Sequence, residues 1–278
     1  MVKCPVVNDG AHFTEDRPGS TRNVSDRKIQ RRRAIMHVTQ RDSALDLLKW
    51  LAVLSMVLDH LRYVGYSIDL LFVPGRLAFP WFCLAMAANL SRTRAETSGQ
   101  PWRYLGWLLL FSAISEIPYR MFIVEHDTLN VLPTLTLGLL VARGWQHKTL
   151  QSRLLAIGAL TLAALFSERL MFGFFGVLLP LATLLVINRP WYFSLLPGVI
   201  CLAANQWQVL ICAARLGNSS AVPGIAACLI APLLGLLLLR HARGIKPPPM
   251  RRWAYALYPV HFLALLALRD LLTHMRSL

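Results

Sequence analysis

The stretch that decides the fold is residues 44–61, ALDLLKWLAVLSMVLDHL, a long apolar segment that only a few polar side chains interrupt. At a rise of about 1.5 Å per residue, a helix of this length covers roughly 27 Å. That length is close to the hydrocarbon thickness of a bilayer. We therefore predict that residues 44–61 form a membrane-spanning helix.

Further apolar runs follow the first one along the rest of the chain. They cover residues 77–91, 104–123, 129–142, 153–167, 170–187, 191–212, 221–239 and 253–270. Apolar residues make up 55% of the chain and charged residues 15%, against roughly 25% charged residues in soluble domains. This composition excludes an ordinary soluble protein and predicts an all-α, polytopic membrane protein of about nine transmembrane helices. Because several runs are short, a re-entrant segment stays open as an alternative to one of the spans.

The net charge of +15 is a topology signal, because the basic residues lie mostly between apolar runs. With the amino terminus in the cytoplasm, most of the 29 Lys and Arg residues fall in cytoplasmic segments, as the positive-inside rule requires. The charge distribution therefore predicts an N-in, C-out orientation. The helices are expected to contact membrane lipid. The charge does not point to nucleic acid as a partner.

Residues 1–43 differ in composition from the rest of the chain. They are rich in Arg and small polar residues, and they lack apolar periodicity. Such a segment buries too little surface to order itself, so we predict a disordered, basic cytoplasmic extension. The transmembrane helical domain then covers residues 44–272. The five cysteines have no metal-binding spacing, and we predict neither a disulfide framework nor a metal site.

A few ionisable side chains interrupt the apolar runs, namely Asp46, Asp59, His60, Glu116 and His261. Each costs a few kcal/mol at the bilayer centre, so it is retained only if it is paired, hydrated or used in function. On the first helix, Asp46 lies three residues before Lys49, which predicts a local ion pair. Asp59 points about 100° away from His60 around the helix axis.

In the N-in orientation, polar residues from separate runs fall in the outer half of the membrane, and only His261 lies deeper. The outer group comprises Asp59, His60, Arg76, Glu116, Asn130 and Glu168. Their convergence predicts a polar cavity open to the periplasmic side. Purely structural roles for these residues remain open as an alternative to a polar cavity. Arg76 can extend to the interface, Glu116 can pair with Arg120 one turn later, and Asn130 and Glu168 can cap helices.

An ordered series of short motifs gives the chain a family resemblance. The motifs are KWLA at 49–52, MVLDH at 56–60, GRLAFP at 75–80, SEIPY at 115–119, Asn130, Thr134-Leu135, Phe172-Gly173 to Gly176, and YPVH at 258–261. In this order and spacing, over residues 44–270, the chain resembles the TraX family of integral membrane proteins. The namesake of that family acetylates the amino terminus of conjugative F-pilin. At Phe172 this chain lacks the tyrosine that we expect from the family, so a phenol has no role there.

The resemblance implies an acyltransferase of the bacterial inner membrane, with acetyl-CoA as donor and a pilin subunit as acceptor. Since an attacking amine must lose a proton, we assign His60 as general base, oriented by Asp59 or by a neighbour on another helix. Arg76 would stabilise the oxyanion or hold a carbonyl group. His261 is the second candidate, as a base or as a nucleophile that carries the acyl group. Glu116 would orient partners, and the expected substrate-binding residues are Asn130, Glu168, Tyr119 and Tyr258.

Three other functions remain open from the sequence. A transporter or proton-relay protein would also place acids and histidines inside the membrane, although we find no inverted repeat in the chain. A non-catalytic chaperone for pilin would need the apolar surface but not the histidines. Within enzymes, the acceptor could be a hydroxyl group of a glycan or lipid.

Overall fold

The apolar runs form α-helices in a computed structural model, which describes residues 42–65, 68–93, 100–124, 127–242, 244–250 and 253–277. These ranges contain ten α-helices and no strand. The helices are α1 (Ser43–Leu61), α2 (Phe72–Thr93), α3 (Gln100–Phe122), α4 (Val131–His147), α5 (Leu150–Leu165), α6 (Gly173–Val186), α7 (Leu195–Ala204), α8 (Trp207–Arg215), α9 (Ala221–His241) and α10 (Ala254–Ser277). The all-α prediction is confirmed, whereas the extension predicted over residues 1–43 lies almost wholly outside the described residues.

The seventh apolar run, residues 191–212, contains a break between two helices. Helices α7 and α8 meet at an angle of 78°. At the break, Gln206 has a left-handed backbone conformation with φ of 54°. The Asn205 side chain turns back to donate to the carbonyl of Cys201 at 2.8 Å, a local bond that competes with helix continuation. The run is therefore a broken span or a re-entrant loop, and a re-entrant segment is the alternative that the sequence left open for one of the spans.

Within the described residues, three helical segments are long and apolar enough to cross a membrane. They are Asp69–Arg92, Ala221–His241 and Ala254–Ser277, and the bent pair of α7 and α8 makes a fourth if it counts as one span. The shorter helices α5 and α6 are also apolar. The total of about nine spans and the N-in orientation stay predictions.

The outer faces of the bundle carry apolar stripes. On α3, Leu110, Ile114, Ile117 and Met121 are exposed and follow the spacing of one helix face. Similar exposed residues occur on α5 and α10. Apolar patches of this extent are a liability in water, so they fit a surface that faces lipid.

Inside the bundle, the first helix of the domain, α1, contacts the last one, α10. Helix α1 packs on α2 and also contacts α10, while α10 packs on α3 and α4 contacts α5 and α6. A continuous core connects these helices and includes Cys83, Tyr119, Leu179 and Phe262. The packing places the carboxyl end of α1 beside the middle of α10.

Close approach of α7 to α9 depends on Gly198. A Cβ atom at this position would lie 2.5 Å from the Leu229 carbonyl oxygen, which is backbone and cannot move aside cheaply. We expect Gly198→Ala to lower stability by about 1–3 kcal/mol. The thermal unfolding midpoint of the detergent-solubilised protein should then fall by roughly 2–10 °C.

Gly158→Ala is the matched control, because nothing lies within 4 Å of a Cβ at Gly158. Alanine also favours a helix more than glycine does, so the control should unfold at the same temperature or slightly higher. Equal losses in the two variants would contradict the proposed packing of α7 on α9.

Candidate functional site

Two histidines from opposite ends of the domain touch each other. His60 Nδ1 on α1 lies 2.8 Å from His261 Nε2 on α10. The two rings are almost parallel, with an interplanar angle of 11° and centroids 5.0 Å apart. Both side chains are buried. His261 was predicted to lie deeper in the membrane than His60, and this prediction was wrong, because the contact holds both rings at one level.

The hydrogen-bond partners decide which ring nitrogens carry protons. His261 Nδ1 lies 3.2 Å from the Leu257 carbonyl oxygen, which only accepts hydrogen bonds. Nδ1 of His261 is therefore the donor, and its Nε2 accepts from the Nδ1–H of His60. In neutral His60 the other nitrogen, Nε2, then bears a lone pair, and no described residue donates to it. This tautomer leaves His60 Nε2 free to accept a proton.

Aromatic rings enclose the histidine pair. The ring of Phe262 lies 5.0 Å from that of His60 and 4.0 Å from that of His261. Phe122 and Tyr63 approach His60 at 6.4 and 6.5 Å. These rings exclude water from several sides and restrict the orientations of both imidazoles, which strengthens electrostatic interactions at the pair.

A charged cluster lies beside His60 on the face of α1 toward α2. The Asp59 carboxylate lies 3.5 Å from Arg76 and 3.4 Å from Arg62. Arg76 also donates to the Asn205 side-chain oxygen and lies 4.1 Å above the ring of Phe72. Two guanidinium groups against one carboxylate give the cluster a net positive charge. Asp59 thus pairs with arginines, and the neighbour that orients His60 is His261, the second of the two arrangements considered.

Gly75 makes the contact between α1 and α2 possible at this cluster. A Cβ atom at Gly75 would collide with the Asp59 side chain, including its carboxylate. The Ser55 hydroxyl donates to the Pro74 carbonyl one turn earlier on α1 and fixes the same contact. The Gly75-Arg76 pair therefore combines close approach with a cation in one short segment.

A second polar cluster joins the end of α3 to the start of α4. Glu116 Oε1 accepts from Arg120 at 2.7 Å, and Glu116 Oε2 accepts from the Asn130 side chain at 2.7 Å and from its backbone N–H at 3.1 Å. Asn130 Oδ1 in turn accepts from the Leu132 N–H at 3.0 Å. The predicted Glu116–Arg120 pair and the Asn130 cap are both confirmed.

Tyr258 and Tyr119 connect this second cluster to the histidines. The Tyr258 hydroxyl accepts from the Val131 N–H at 3.2 Å, and its ring lies 5.5 Å from that of His261. The Tyr119 ring meets Phe262 edge-on at 5.6 Å. Both tyrosines are therefore packed between the two groups.

Glu168 lies apart from this arrangement, on the exposed turn Ser167–Arg169. Within the described ranges, no three His, Cys, Asp or Glu side chains come close enough together to hold a metal ion.

Sequence reasoning missed two residues of the charged cluster, Arg62 and Asn205. Asn205 is an amide inside an apolar run, the same signal that singled out His60. Arg62 directly follows the first apolar run. Nothing in the sequence marks it as a site residue except its closeness to Asp59 and His60. Phe172, where a tyrosine was expected, stacks on Phe79 with ring centroids 4.0 Å apart, so its ring serves packing.

A known protein family matches the part of the chain that contains the histidine pair and both polar clusters. The TraX protein family matches residues 44–269. The chain belongs to the TraX family. The range that matches the TraX family contains the histidine pair and both polar clusters. Comparisons with curated proteins and with solved structures give no match.

The Asp59–Arg76 contact should appear as a coupling in thermal unfolding. We expect Asp59→Asn and Arg76→Gln, measured singly and together, to show a coupling free energy of about 0.5–3 kcal/mol, because each variant removes one side of the same ion pair. Combining Asp59→Asn with Arg153→Gln, an exposed position at the start of α5, serves as the control. Additive effects of Asp59→Asn and Arg76→Gln would contradict the contact.

Proposed function

We propose that this TraX-family protein is a multi-pass acyltransferase of the bacterial inner membrane that transfers the acetyl group of acetyl-CoA to the amino terminus of a conjugative pilin subunit. The observation that carries the proposal is the buried His60–His261 pair, in which His60 Nε2 is free to accept a proton. The family resemblance supports the reaction class and the acceptor in this proposal, and the pair offers a base of the kind that the reaction needs.

In this reaction the pilin amine attacks the carbonyl carbon of the thioester. A C–N bond forms, the C–S bond breaks, and the CoA thiolate leaves and takes up a proton. His60 Nε2 accepts the proton that the amine nitrogen must lose. The His60 Nδ1–H then bonds more strongly to His261 Nε2, so both rings share the positive charge. The Leu257 carbonyl holds the outer Nδ1–H of His261 in place.

The charged cluster supports the step electrostatically. Its net positive charge lies one residue from His60 and favours the negative charge that develops on the carbonyl oxygen and then on the thiolate. Asn205 and Phe72 fix the Arg76 side chain, so the guanidinium needs little reorganisation during the reaction. Asp59 holds both arginines and is a positioning residue.

The second polar cluster acts on the chemistry indirectly, through the helices that it holds in place. Glu116 and Asn130 fix the start of α4, and Tyr258 ties that helix to α10 beside His261. In the N-in orientation these groups and Glu168 lie toward the periplasm, where a cleaved pilin exposes its amino terminus. Both ring nitrogens of His261 are engaged, which favours His60 as base over His261 as an acyl carrier.

Substitution of either histidine should abolish most of the transfer. We expect His60→Ala and His261→Ala, purified as full chains in nanodiscs, to lower the rate of acetyl transfer to a pilin amino-terminal peptide by about 10²–10⁴-fold. The measurement uses labelled acetyl-CoA and follows label on the peptide. The matched control is His274→Ala, which removes an exposed histidine from the same helix, α10, and should transfer at the normal rate.

Intact mass spectrometry of the pilin extends the test to cells. Pilin from cells that carry the gene should be heavier by one acetyl group than pilin from cells that lack it. Normal transfer by His60→Ala would contradict the assignment of the base. Solute flux in liposomes without any acetyl transfer would contradict the enzyme and favour a transporter.

A further inference from the structure

Tyr63 is the one exposed ring among those that contact His60 in the described part of the chain. The other rings that approach His60 belong to the buried side chains of His261, Phe122 and Phe262. Tyr63 is 39% exposed, and the centre of its ring lies 6.5 Å from that of His60. A molecule that approaches His60 from this end of the bundle therefore meets Tyr63 first.

Contacts with three helices hold Tyr63 in place. Its backbone N–H donates to the His60 carbonyl at 3.0 Å, in the turn that follows α1. Its ring meets that of Phe122, at the end of α3, edge-on at 6.3 Å. From α10, Arg276 donates to the carbonyl of Gly65 in the same turn at 3.4 Å. A side chain that is already oriented loses little conformational entropy when a ligand binds.

The Tyr63 hydroxyl has a hydrogen that is available to a ligand. Arg62 Nη2 donates to the hydroxyl oxygen at 2.6 Å. Because a guanidinium only donates hydrogen bonds, the hydroxyl is the acceptor in this contact and its own O–H points elsewhere. No residue in the described ranges accepts that O–H. Tyr63 can therefore donate a hydrogen bond to an incoming molecule.

Arg62 also sets the kind of group that this hydroxyl prefers. Asp59 lies 3.4 Å from Arg62, so the Tyr63 hydroxyl is connected to the charged cluster beside His60. A hydroxyl that accepts from a cation becomes a stronger donor, because hydrogen bonds in a chain polarise one another. The net positive charge of the cluster favours an oxygen acceptor. It also favours the uncharged form of a nearby amine, which is the form that attacks a thioester.

We propose that Tyr63 binds the acceptor substrate by donating a hydrogen bond to the carbonyl oxygen of its first residue, next to the reacting amine. The inference rests on the proposed acyl transfer and adds a recognition site for the acceptor. In a peptide amino terminus, only two carbon atoms separate the amine nitrogen from this oxygen. Hydrogen bonds of about 2.9 Å at both groups are compatible with two rings 6.5 Å apart. The site therefore selects a peptide amino terminus over an alkylamine.

Kinetics of the full chain in nanodiscs, with a pilin amino-terminal peptide as acceptor, test the site. Tyr63→Phe keeps the ring and removes the hydroxyl. It should raise KM for the peptide by about 2- to 12-fold, as expected for one lost hydrogen bond, and leave kcat and the KM for acetyl-CoA unchanged. Tyr192→Phe, at an exposed tyrosine in the turn Trp191–Ser194, is the matched control and should leave all three constants unchanged.

A second acceptor separates hydrogen bonding from packing. In this analogue of the peptide, a trans-alkene replaces the first peptide bond, so the amine is present and the carbonyl is absent. The wild-type chain and Tyr63→Phe should have the same KM for the analogue. An equal rise in KM for both acceptors identifies a disturbed ring and overturns the inference. An unchanged KM for the natural peptide in Tyr63→Phe overturns it as well.

The outcomes separate the recognition site from the function itself. If Tyr63→Phe transfers acetyl groups with the kcat and KM of the wild-type chain, acyl transfer stands and only the role of Tyr63 fails. If the wild-type chain transfers no acetyl group to either acceptor, the recognition site and the proposed function both fail.

Discussion

The contact between His60 and His261 is the constraint on which the rest of the domain depends. A neutral imidazole has one donor and one acceptor, and hydrocarbon offers partners for neither. Stacked against each other, the two rings satisfy the donor of His60 and the acceptor of His261, and the Leu257 carbonyl satisfies the remaining donor. Among the ring nitrogens of the pair, only His60 Nε2 has a lone pair to which no residue in the described part of the chain donates, and the proposed reaction uses this lone pair.

This contact joins residues 201 positions apart in the chain. It therefore holds the first and last helices, α1 and α10, together and also forms the candidate site. Helices α1 and α10 share few other contacts, and the aromatic side chains of α3 and α10 fill the space around the rings. The charged cluster between α1 and α2 and the second polar cluster between α3 and α4 then fix the helices on either side. The histidine pair, the charged cluster and the Glu116–Asn130 contact thus each join residues of two different helical segments.

The sequence predicts the helices well because hydrophobic periodicity is a local property. Every apolar run became helical, and the Asn130 cap and the Asp46–Lys49 pair followed from spacing alone. The position of the break at Gln206 was not predicted. Hydropathy does not show that the Asn205 amide donates back to a carbonyl of its own helix.

The site was predictable as a set of residues and not as a set of contacts. Intramembrane polarity picked out His60, Arg76, Glu116 and His261, but which helices touch depends on packing between distant segments. The depth of His261 was misplaced because counting residues from a loop assumes that all helices start at one level. The assignment of Asp59 to arginines required the close approach at Gly75, which no periodicity reveals.

Solid-state NMR of the protein in bilayers, with ¹⁵N-labelled histidine, tests the central contact most directly. At a nitrogen–nitrogen distance of 2.8 Å, a correlation experiment should show a cross-peak between His60 Nδ1 and His261 Nε2. The chemical shift of His60 Nε2 should be that of an unprotonated nitrogen. Absence of an inter-residue cross-peak from the wild-type protein, or its persistence in His261→Ala, would contradict the account.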